Sequence, residues 1–348
     1  MRKAKIGIVG LGAIAKNTHV PILSSFGDVC VEAAAEVDTK RAEVVTKKWN
    51  IRSLYENYED LYRDTTLDAV FVCLPNFLHY DAVKGALDHG IHVFCEKPMT
   101  SSAKQARELV DIARKKQLLL AVGYHMPLEP NFEETSKTIR SGRLGAVLQL
   151  NGTFVSAGPY AGWIPSGDWL LHDKYAVVYD QGSHLTSLII SALDTRIIEV
   201  AAKGISTMHG FDIFDNIAGI FKTESGALGT LNVGWKSAYR QVSLEVHGTG
   251  GSLLADPSEI QIRYRSYGSL ERLADHLTFA RKILTSQASK LYSDKRRADS
   301  YTREDRAFVD AVLHGGSPLV PGEQGLRVLE VLDAVKESID KSRVTKIG

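Results

Sequence analysis

The chain has 348 residues, of which 44% are hydrophobic and 24% are charged, and its formal net charge is +1. This length exceeds one typical core of about 100 to 200 residues, so two domains are expected. A near-neutral charge without a basic block argues against nucleic-acid binding, and no run approaches the roughly 20 apolar residues of a membrane span. We therefore expect a cytoplasmic protein with a small-molecule partner, in which Cys30, Cys73 and Cys95 are reduced thiols.

Residues 1–122 alternate short apolar runs with helical stretches, and this pattern predicts a doubly wound parallel sheet of the Rossmann type. The predicted strands cover residues 6–9, 31–37, 67–74, 91–95 and 118–122. The predicted helices cover residues 38–49, 58–63, 80–89 and 101–116, and Ser101 or Ser102 caps the last of them. Pro21 lies where the first helix should continue, so that helix is kinked or restarts after Thr18.

Residues 123–348 have longer runs of alternating polarity, which predict an α+β domain with a large, mostly antiparallel open sheet of about six strands. The predicted strands cover residues 146–156, 197–206, 213–223, 227–235, 243–248 and 260–264. Helices at 132–141 and 181–192 should pack on one face of this sheet. The closing helices at 305–313 and 322–341 could pack back on the first domain.

A dinucleotide site is predicted where the first strand ends. The residues that would hold the pyrophosphate are Gly10, Gly12, Ala13, Ile14 and Ala15, with Ala15 in the place of a third glycine. Glycines permit a tight turn and a close approach of the backbone to the phosphates, which then face the amides at the start of a helix. A glycine pattern of this kind often arises by chance. Here a predicted strand precedes it and a predicted helix follows it, and this context favours a dinucleotide site.

Glu36 is predicted to determine whether NAD or NADP binds. It ends the second predicted strand, near the interval of about 20 residues at which an acid meets the adenosine ribose. A carboxylate there accepts hydrogen bonds from the ribose hydroxyls and repels a 2′-phosphate, so NAD is favoured over NADP. NADP stays open as an alternative, because Lys40 and Arg41 could receive a phosphate.

Two further groups of residues follow predicted strands at the carboxyl edge of the sheet, where open α/β sheets bind ligands. Leu74, Asn76 and His79 could lie against the nicotinamide ribose, although Pro75-Asn76 is also ordinary turn chemistry. Glu96 and Lys97 precede Pro98, and an ammonium group fixed there could stabilise a developing alkoxide.

Asp180 and His184 are four residues apart, so they share a helix face if this stretch is helical. Imidazole changes protonation near neutral pH and can accept an alcohol proton, while a carboxylate can orient it. A capping Asp beside an unrelated His is the simpler interpretation of such a pair. The remaining histidines form no cluster with metal-ligand spacing, so no metal is predicted.

Aromatic residues before Asp180 suggest a polyol-binding loop, since aromatic faces beside a carboxylate suit sugar recognition. Trp163, Asp168 and Trp169 lie there, although loop tryptophans also serve as packing anchors. The basic stretch 290–297 would suit a phosphorylated substrate or a nucleotide sugar, but a solvated helix face explains it more simply.

Together these motifs resemble the Gfo/Idh/MocA oxidoreductases, in order and spacing over nearly the whole chain. The resemblance rests on residues 10–15, 74–79, 96–98, 123–124 and 180–184, with 305–310 and 330–334 matching the closing helices. It implies a Rossmann domain, a substrate-binding and oligomerisation domain, and a homodimer or homotetramer. It also implies Lys97, Asp180 and His184 as catalytic residues and Tyr124 as a candidate substrate contact.

The resemblance implies an NAD(P)-dependent dehydrogenase that acts on a secondary alcohol or ketone of a sugar, cyclitol or sugar derivative. Departures from the family pattern lie on the substrate side: His125-Met126-Pro127 where an arginine is common, Ala176–Tyr179 where glycines are common, and Ser187 where an acid often follows. Three alternatives therefore stay open. They are a nucleotide-sugar dehydrogenase, a redox-initiated NAD-dependent glycosidase, and a dinucleotide-binding regulator without catalysis.

Overall fold

The computed structural model describes residues 2–64, 66–158, 169–207, 210–264 and 289–348, and the chain forms two compact units. The first unit contains residues 1–125 and 298–330, and the second contains 126–297 and 331–348. No helix within the described ranges is long and apolar enough to span a membrane.

The first unit is built on a six-stranded sheet in which every pair of neighbouring strands is parallel. Its strands are β1 (Ala4–Val9), β2 (Val29–Ala35), β3 (Ser53–Tyr55), β4 (Ala69–Val72), β5 (His92–Cys95) and β6 (Leu120–Val122), in the order β3-β2-β1-β4-β5-β6. The central strand β4 is apolar along its whole length and its neighbour β1 is apolar except for Lys5, as expected of strands covered on both faces. The order reverses between β1 and β4, so a ligand-binding crevice is expected at their carboxyl ends.

Nine α-helices lie along the chain: α1 (Val20–Ser25), α2 (Thr39–Trp49), α3 (Tyr58–Asp64), α4 (His79–Asp88), α5 (Ala103–Lys116), α6 (Pro130–Arg140), α7 (Ser183–Leu193), α8 (Ser289–His314) and α9 (Gly322–Lys341), among the described residues. Local chemistry fixes several of their ends. Ser102 caps α5 by accepting a hydrogen bond from the Gln105 N–H, and Asp38 caps α2 in the same way.

Pro21 neither ends the first helix nor leaves a gap in it. A single π-helical segment, Ala15–His19, leads directly into α1, in which Pro21 lies in the first turn. Proline is tolerated there because the first turn of an α-helix needs no intrahelical donor.

The second unit is built on an eight-stranded sheet. Its strands are β7 (Val147–Val155), β8 (Ile197–Ile205), β9 (Asn216–Thr223), β10 (Leu228–Gly234), β11 (Gln241–Gly248), β12 (Gly251–Ala255), β13 (Ile260–Tyr264) and β14 (Thr345–Lys346), in the order β13-β12-β11-β7-β10-β9-β8-β14. Only the central pair β7 and β10 is parallel among these described strands. The helix α7 packs closely on β7, where a Cβ at Gly152 would lie 3.0 Å from Leu185 and Ile189. The opposite face exposes Ile220, Leu228 and Leu254.

Three expectations about single elements were wrong. The second sheet has eight described strands instead of about six, because β14 has only two residues and β12 has two adjacent leucines in place of an alternation. The edge strand β3 was missed because it is also short. Glu36 does not end a strand, because β2 stops at Ala35 and the Glu36 N–H donates to the Tyr55 carbonyl.

Candidate active site

The glycine-rich turn leaves β1 in a conformation that requires its first glycine. Gly10 has a φ of +87°, and a Cβ there would lie 2.8 Å from the carbonyl oxygen of Cys73. A Cβ at Gly12 would come no closer than 4.0 Å to that oxygen, so this side of the turn is open. The first N–H groups of the following helix have no intrahelical partner, and they are suited to receive a diphosphate.

Glu36 holds the same turn. Its Oε2 accepts a hydrogen bond from the Leu11 N–H at 2.8 Å, and its Oε1 accepts one from the Asp38 N–H at 2.9 Å. Arg41 lies 3.3 Å from the same carboxylate, and its guanidinium is half exposed. The acid predicted to meet the ribose is therefore also a structural part of the glycine-rich turn.

The turn after β4 is fixed by His79, which is buried. Its Nδ1 lies 2.8 Å from the Pro98 carbonyl oxygen, and its Nε2 lies 2.8 Å from the Leu74 carbonyl oxygen. Burial lowers the pKa of His79, although the two carbonyl groups oppose that shift. His79 thus joins two of the predicted site segments, those that contain Asn76 and Lys97.

Glu96 and Lys97 directly follow β5. The Oε2 of Glu96 accepts a hydrogen bond from the Lys97 N–H at 3.0 Å, and the Glu96 N–H donates to the Val72 carbonyl. A Cβ at Gly123 would lie 3.0 Å from Glu96 Oε1, so a larger residue there would displace the carboxylate. Lys97 itself is half-buried, and the Lys97–Pro98 peptide bond is cis.

A buried ionic cluster beside Glu96 was missed at the sequence level. His19 is fully buried, with Nε2 3.0 Å from Glu96 Oε1 and Nδ1 2.9 Å from Asp305 Oδ1. Burial lowers the pKa of His19, but Asp305 and Glu96 outweigh it and raise the pKa to about 10. The sequence around His19 gives no sign of this cluster, because its partner Asp305 is 286 residues away.

In the second unit, Asp180 and His184 stand out by their exposure. Across residues 175–190, all of which the structure describes, only these two are not buried. Asp180 lies in a π-helical segment, Val178–Gly182, and His184 lies in the first turn of α7. The two are thus not on one regular α-helix, as the four-residue spacing had suggested. Isolated π-turns occur frequently at functional sites.

Gln181, between these two residues, anchors the segment to the sheet. Its Nε2 donates to Ser156 Oγ at 2.6 Å, and its Oε1 accepts from the Gly234 N–H at 3.1 Å. These contacts join the π-helical segment to the ends of the parallel strands β7 and β10. The rings of Phe154 and His184 are 6.2 Å apart. No local sequence pattern predicts this role for Gln181.

Among the predicted substrate residues, the structure describes the side chain of Tyr124 alone. Tyr124 is fully buried in the first unit. Trp163 and Asp168 lie outside the described residues. Trp169 begins a one-turn helix, Trp169–His172, but its side chain is outside the described part of the structure.

The two family models that match this chain describe the two domains of one oxidoreductase family. Residues 4–124 match the model of an oxidoreductase family with an NAD-binding Rossmann fold (GFO_IDH_MocA), and residues 132–254 match the GFO/IDH/MocA C-terminal domain. The chain is 28% identical to D-xylose 1-dehydrogenase (NADP(+)) 2 of Haloferax volcanii, over 98% of this chain and 99% of that protein. It is 24% identical to myo-inositol 2-dehydrogenase of Thermotoga maritima, over 99% and 98%.

A solved structure shows the same fold. Scyllo-inositol dehydrogenase of Lactobacillus casei, with bound NAD(H) and scyllo-inositol, aligns with a TM-score of 0.79 at 20% identity, over 99% of this chain and 98% of that one.

Proposed function

Because the chain belongs to the Gfo/Idh/MocA oxidoreductase family, we propose that it transfers a hydride between NAD and a secondary alcohol or ketone of a sugar, cyclitol or sugar derivative. Both full-length relatives named above are dehydrogenases of a free sugar or a cyclitol. The three alternative activities are not favoured by these relatives.

The residues of the first unit fit a dinucleotide. Gly10, Gly12, Ala13, Ile14 and Ala15 would hold the pyrophosphate, since the turn is open at Gly12 and has no room for a side chain at Gly10.

The remaining cofactor contacts follow from the same sheet edge. Glu36 would meet the adenosine ribose, Leu74 and Asn76 the nicotinamide ribose, and Glu96 and Lys97 the nicotinamide end. His79 would act by holding the turns at Leu74 and Pro98, since both its ring nitrogens face those carbonyls.

The catalytic proposal rests most directly on the exposure of Asp180 and His184 within a buried stretch. Bound NAD supplies the acceptor for a hydride from the carbon that carries the hydroxyl group. His184 accepts the hydroxyl proton on its imidazole, and Asp180 orients that ring. The Lys97 ammonium stabilises negative charge on the substrate oxygen. In the reverse direction, His184 returns the proton.

We expect Lys97→Ala and His184→Ala each to lower kcat by about a hundredfold to ten-thousandfold, the range typical of a positioned proton-transfer or oxyanion-stabilising group. The assay follows NADH absorbance with D-xylose, myo-inositol and scyllo-inositol as first substrates. Lys104→Ala and His172→Ala, at exposed positions, are the matched controls and should keep wild-type rates. Near-wild-type turnover in both active-site variants would refute the assignment.

Two finer properties are proposed with the activity. The open face of the second sheet, with Ile220, Leu228 and Leu254 exposed, suits a homodimer or homotetramer, which light scattering would detect.

The free thiols Cys30, Cys73 and Cys95 suit the reducing cytoplasm, which cell fractionation would test.

A further inference from the structure

The buried cluster of His19, Glu96 and Asp305 has a geometry that favours a protonated histidine. Both nitrogens of His19 face carboxylate oxygens, at 3.0 Å for Glu96 and 2.9 Å for Asp305. A neutral imidazole has only one N–H, so only the imidazolium form donates to both carboxylates, and their negative charges favour it. The pKa of about 10 agrees with this, since the carboxylates outweigh the effect of burial.

Glu96 connects His19 to the backbone of Lys97 through hydrogen bonds. One carboxylate oxygen of Glu96 accepts from His19, and the other accepts from the Lys97 N–H at 3.0 Å. A continuous series of hydrogen bonds therefore runs from Asp305 on α8, through His19 and Glu96, to the backbone of Lys97.

Acidic groups reach His19 from two elements. Glu96 lies at the end of β5, with Lys97 beside it, and Glu304 and Asp305 lie on α8. Burial raises the pKa of Glu304 well above its usual range, and it also raises the pKa of Asp305, although the His19 charge opposes that second shift. The oxygens of Glu304 have no hydrogen-bonding partner among the described residues, so the hydrogen bonds of the cluster join His19 to Glu96 and Asp305 alone.

Aromatic rings close the remaining sides. The rings of Phe71 and Phe94 lie 5.4 and 5.3 Å from the His19 ring, and that of Tyr301 lies 6.1 Å away. Hydrogen bonds between ions are strong in such surroundings, and a missing partner is costly.

We propose that His19, held by Asp305, is a positioning residue that fixes the orientation of Glu96 and thereby places Lys97 for the reaction. This inference rests on the proposed function, because that function makes Lys97 the group that stabilises the substrate oxygen. His19 touches neither reacting group and acts through Glu96 alone.

The first test is His19→Gln, which removes the charge and one of the two donors. Hydrogen exchange of the 96–98 segment reports the effect without cofactor or substrate, because Pro98 has no N–H and only Glu96 and Lys97 contribute amides. We expect the Lys97 amide to exchange about tenfold faster, since it loses a well-placed acceptor. The Glu96 amide, bonded to the Val72 carbonyl, should keep its rate.

Activity is the second readout of the same variant. With the sugar or cyclitol that the wild type oxidises fastest, kcat should fall about tenfold, the effect of displacing a catalytic group slightly. The KM for NAD should stay within about twofold, because the adenosine half is held elsewhere. Tyr62→Phe is the matched control. It loses a buried hydrogen bond to the Ala82 carbonyl in the same unit, and neither readout should change.

Asp305→Asn separates charge from packing and serves if His19→Gln does not fold. The amide still accepts from His19 but no longer favours the imidazolium. The ratio of variant to wild-type kcat should therefore be near one at pH 6.5 and fall about tenfold by about pH 9. A ratio that does not change with pH would overturn the proposal.

The exchange and kcat measurements can also overturn the proposal. Unchanged Lys97 exchange in folded His19→Gln would overturn the proposal, and so would faster exchange with an unchanged kcat. Full activity of Lys97→Ala would instead refute the catalytic role of Lys97 in the proposed function. In that case the exchange rates still show whether His19 positions the Lys97 backbone.

Discussion

Glu36 illustrates how much a single carboxylate does in this structure. It accepts hydrogen bonds from the Leu11 and Asp38 N–H groups while it is only 5% exposed. Its neighbour Arg41 partly offsets its charge. A 2′-phosphate beside this residue would meet a fixed negative charge, whereas ribose hydroxyl groups would meet an acceptor.

We expect the wild type to bind NADH more tightly than NADPH, and Glu36→Gln to reduce that preference by about tenfold, since one charge repulsion of about 1 to 2 kcal/mol is removed. Fluorescence titration with both cofactors measures the ratio. Glu43→Gln, at an exposed acid on the following helix α2, should leave it unchanged. Tighter binding of NADPH by the wild type would contradict the role of Glu36.

At the level of elements, the turn between β1 and the first helix depends on glycine for two separable reasons. Gly10 has a positive φ, and it also lies against the Cys73 carbonyl. Gly90 has a positive φ of +77° with free space around it, and Gly27 has neither constraint. The chain therefore contains its own controls for backbone strain and for steric overlap.

Gly10→Ala should destabilise the first unit more than Gly90→Ala does, and Gly27→Ala should have the smallest effect. Left-handed backbone costs a non-glycine residue about 1 to 2 kcal/mol, and the overlap with Cys73 adds to this only at position 10. Urea unfolding gives the order of stability, and NADH titration should show lost affinity only for Gly10→Ala. Equal midpoints for Gly10→Ala and Gly27→Ala would disprove the argument.

The same scale shows what the sequence could and could not predict. The glycine turn, the Ser102 cap and the alternation of strands and helices depend on neighbouring residues, so local patterns were sufficient to identify them. The π-helical segments carry no sequence pattern that separates them from an α-helix. β14 has only two residues, and the adjacent leucines of β12 break the alternation. The contacts of His19 and Gln181 join distant parts of the chain, which no local pattern reveals.

At the scale of the whole molecule, the first unit is completed by residues 298–330. Phe308 on α8 packs against Phe71 and Phe94, at ring-centroid distances of 5.5 and 5.7 Å. Asp305, one turn earlier, provides the ion pair with His19. An ionic contact and an aromatic cluster thus hold the returning segment on the parallel sheet.

The stability of this unit should fall as pH rises from 6.5 towards 10. The pKa of His19 is about 10 in the folded chain against 6.5 for an exposed histidine, so its contribution is complete below pH 6.5 and is lost through pH 10. Between about pH 7 and 8, the free energy of unfolding should drop by about 1 kcal/mol, since only the folded chain keeps the proton.

Urea unfolding followed by circular dichroism measures this slope, and a pulse of hydrogen exchange on β4 assigns the transition to the first unit. The slope of His19→Gln should be shallower by about 1 kcal/mol per pH unit over this range, whereas Glu304, whose pKa burial raises, contributes to the slope of both proteins. The unfolding measurements should end below about pH 8.5, because the cysteines of the unfolded chain begin to ionise there and would also change the free energy of unfolding. Equal slopes for the two proteins would contradict the buried imidazolium.

The return of residues 298–330 to the first unit also has a consequence for synthesis on the ribosome. The chain emerges from its amino end, and domains usually fold as they emerge. Here the strands β1 to β6 are made first, but Asp305 and Phe308 follow only after strands β7 to β13 of the second sheet. Until then the nascent sheet exposes Phe71 and Phe94 and leaves His19 with one carboxylate instead of two. The nucleotide-binding unit, although it is the first to be translated, is thus completed only after most of the second sheet has been made.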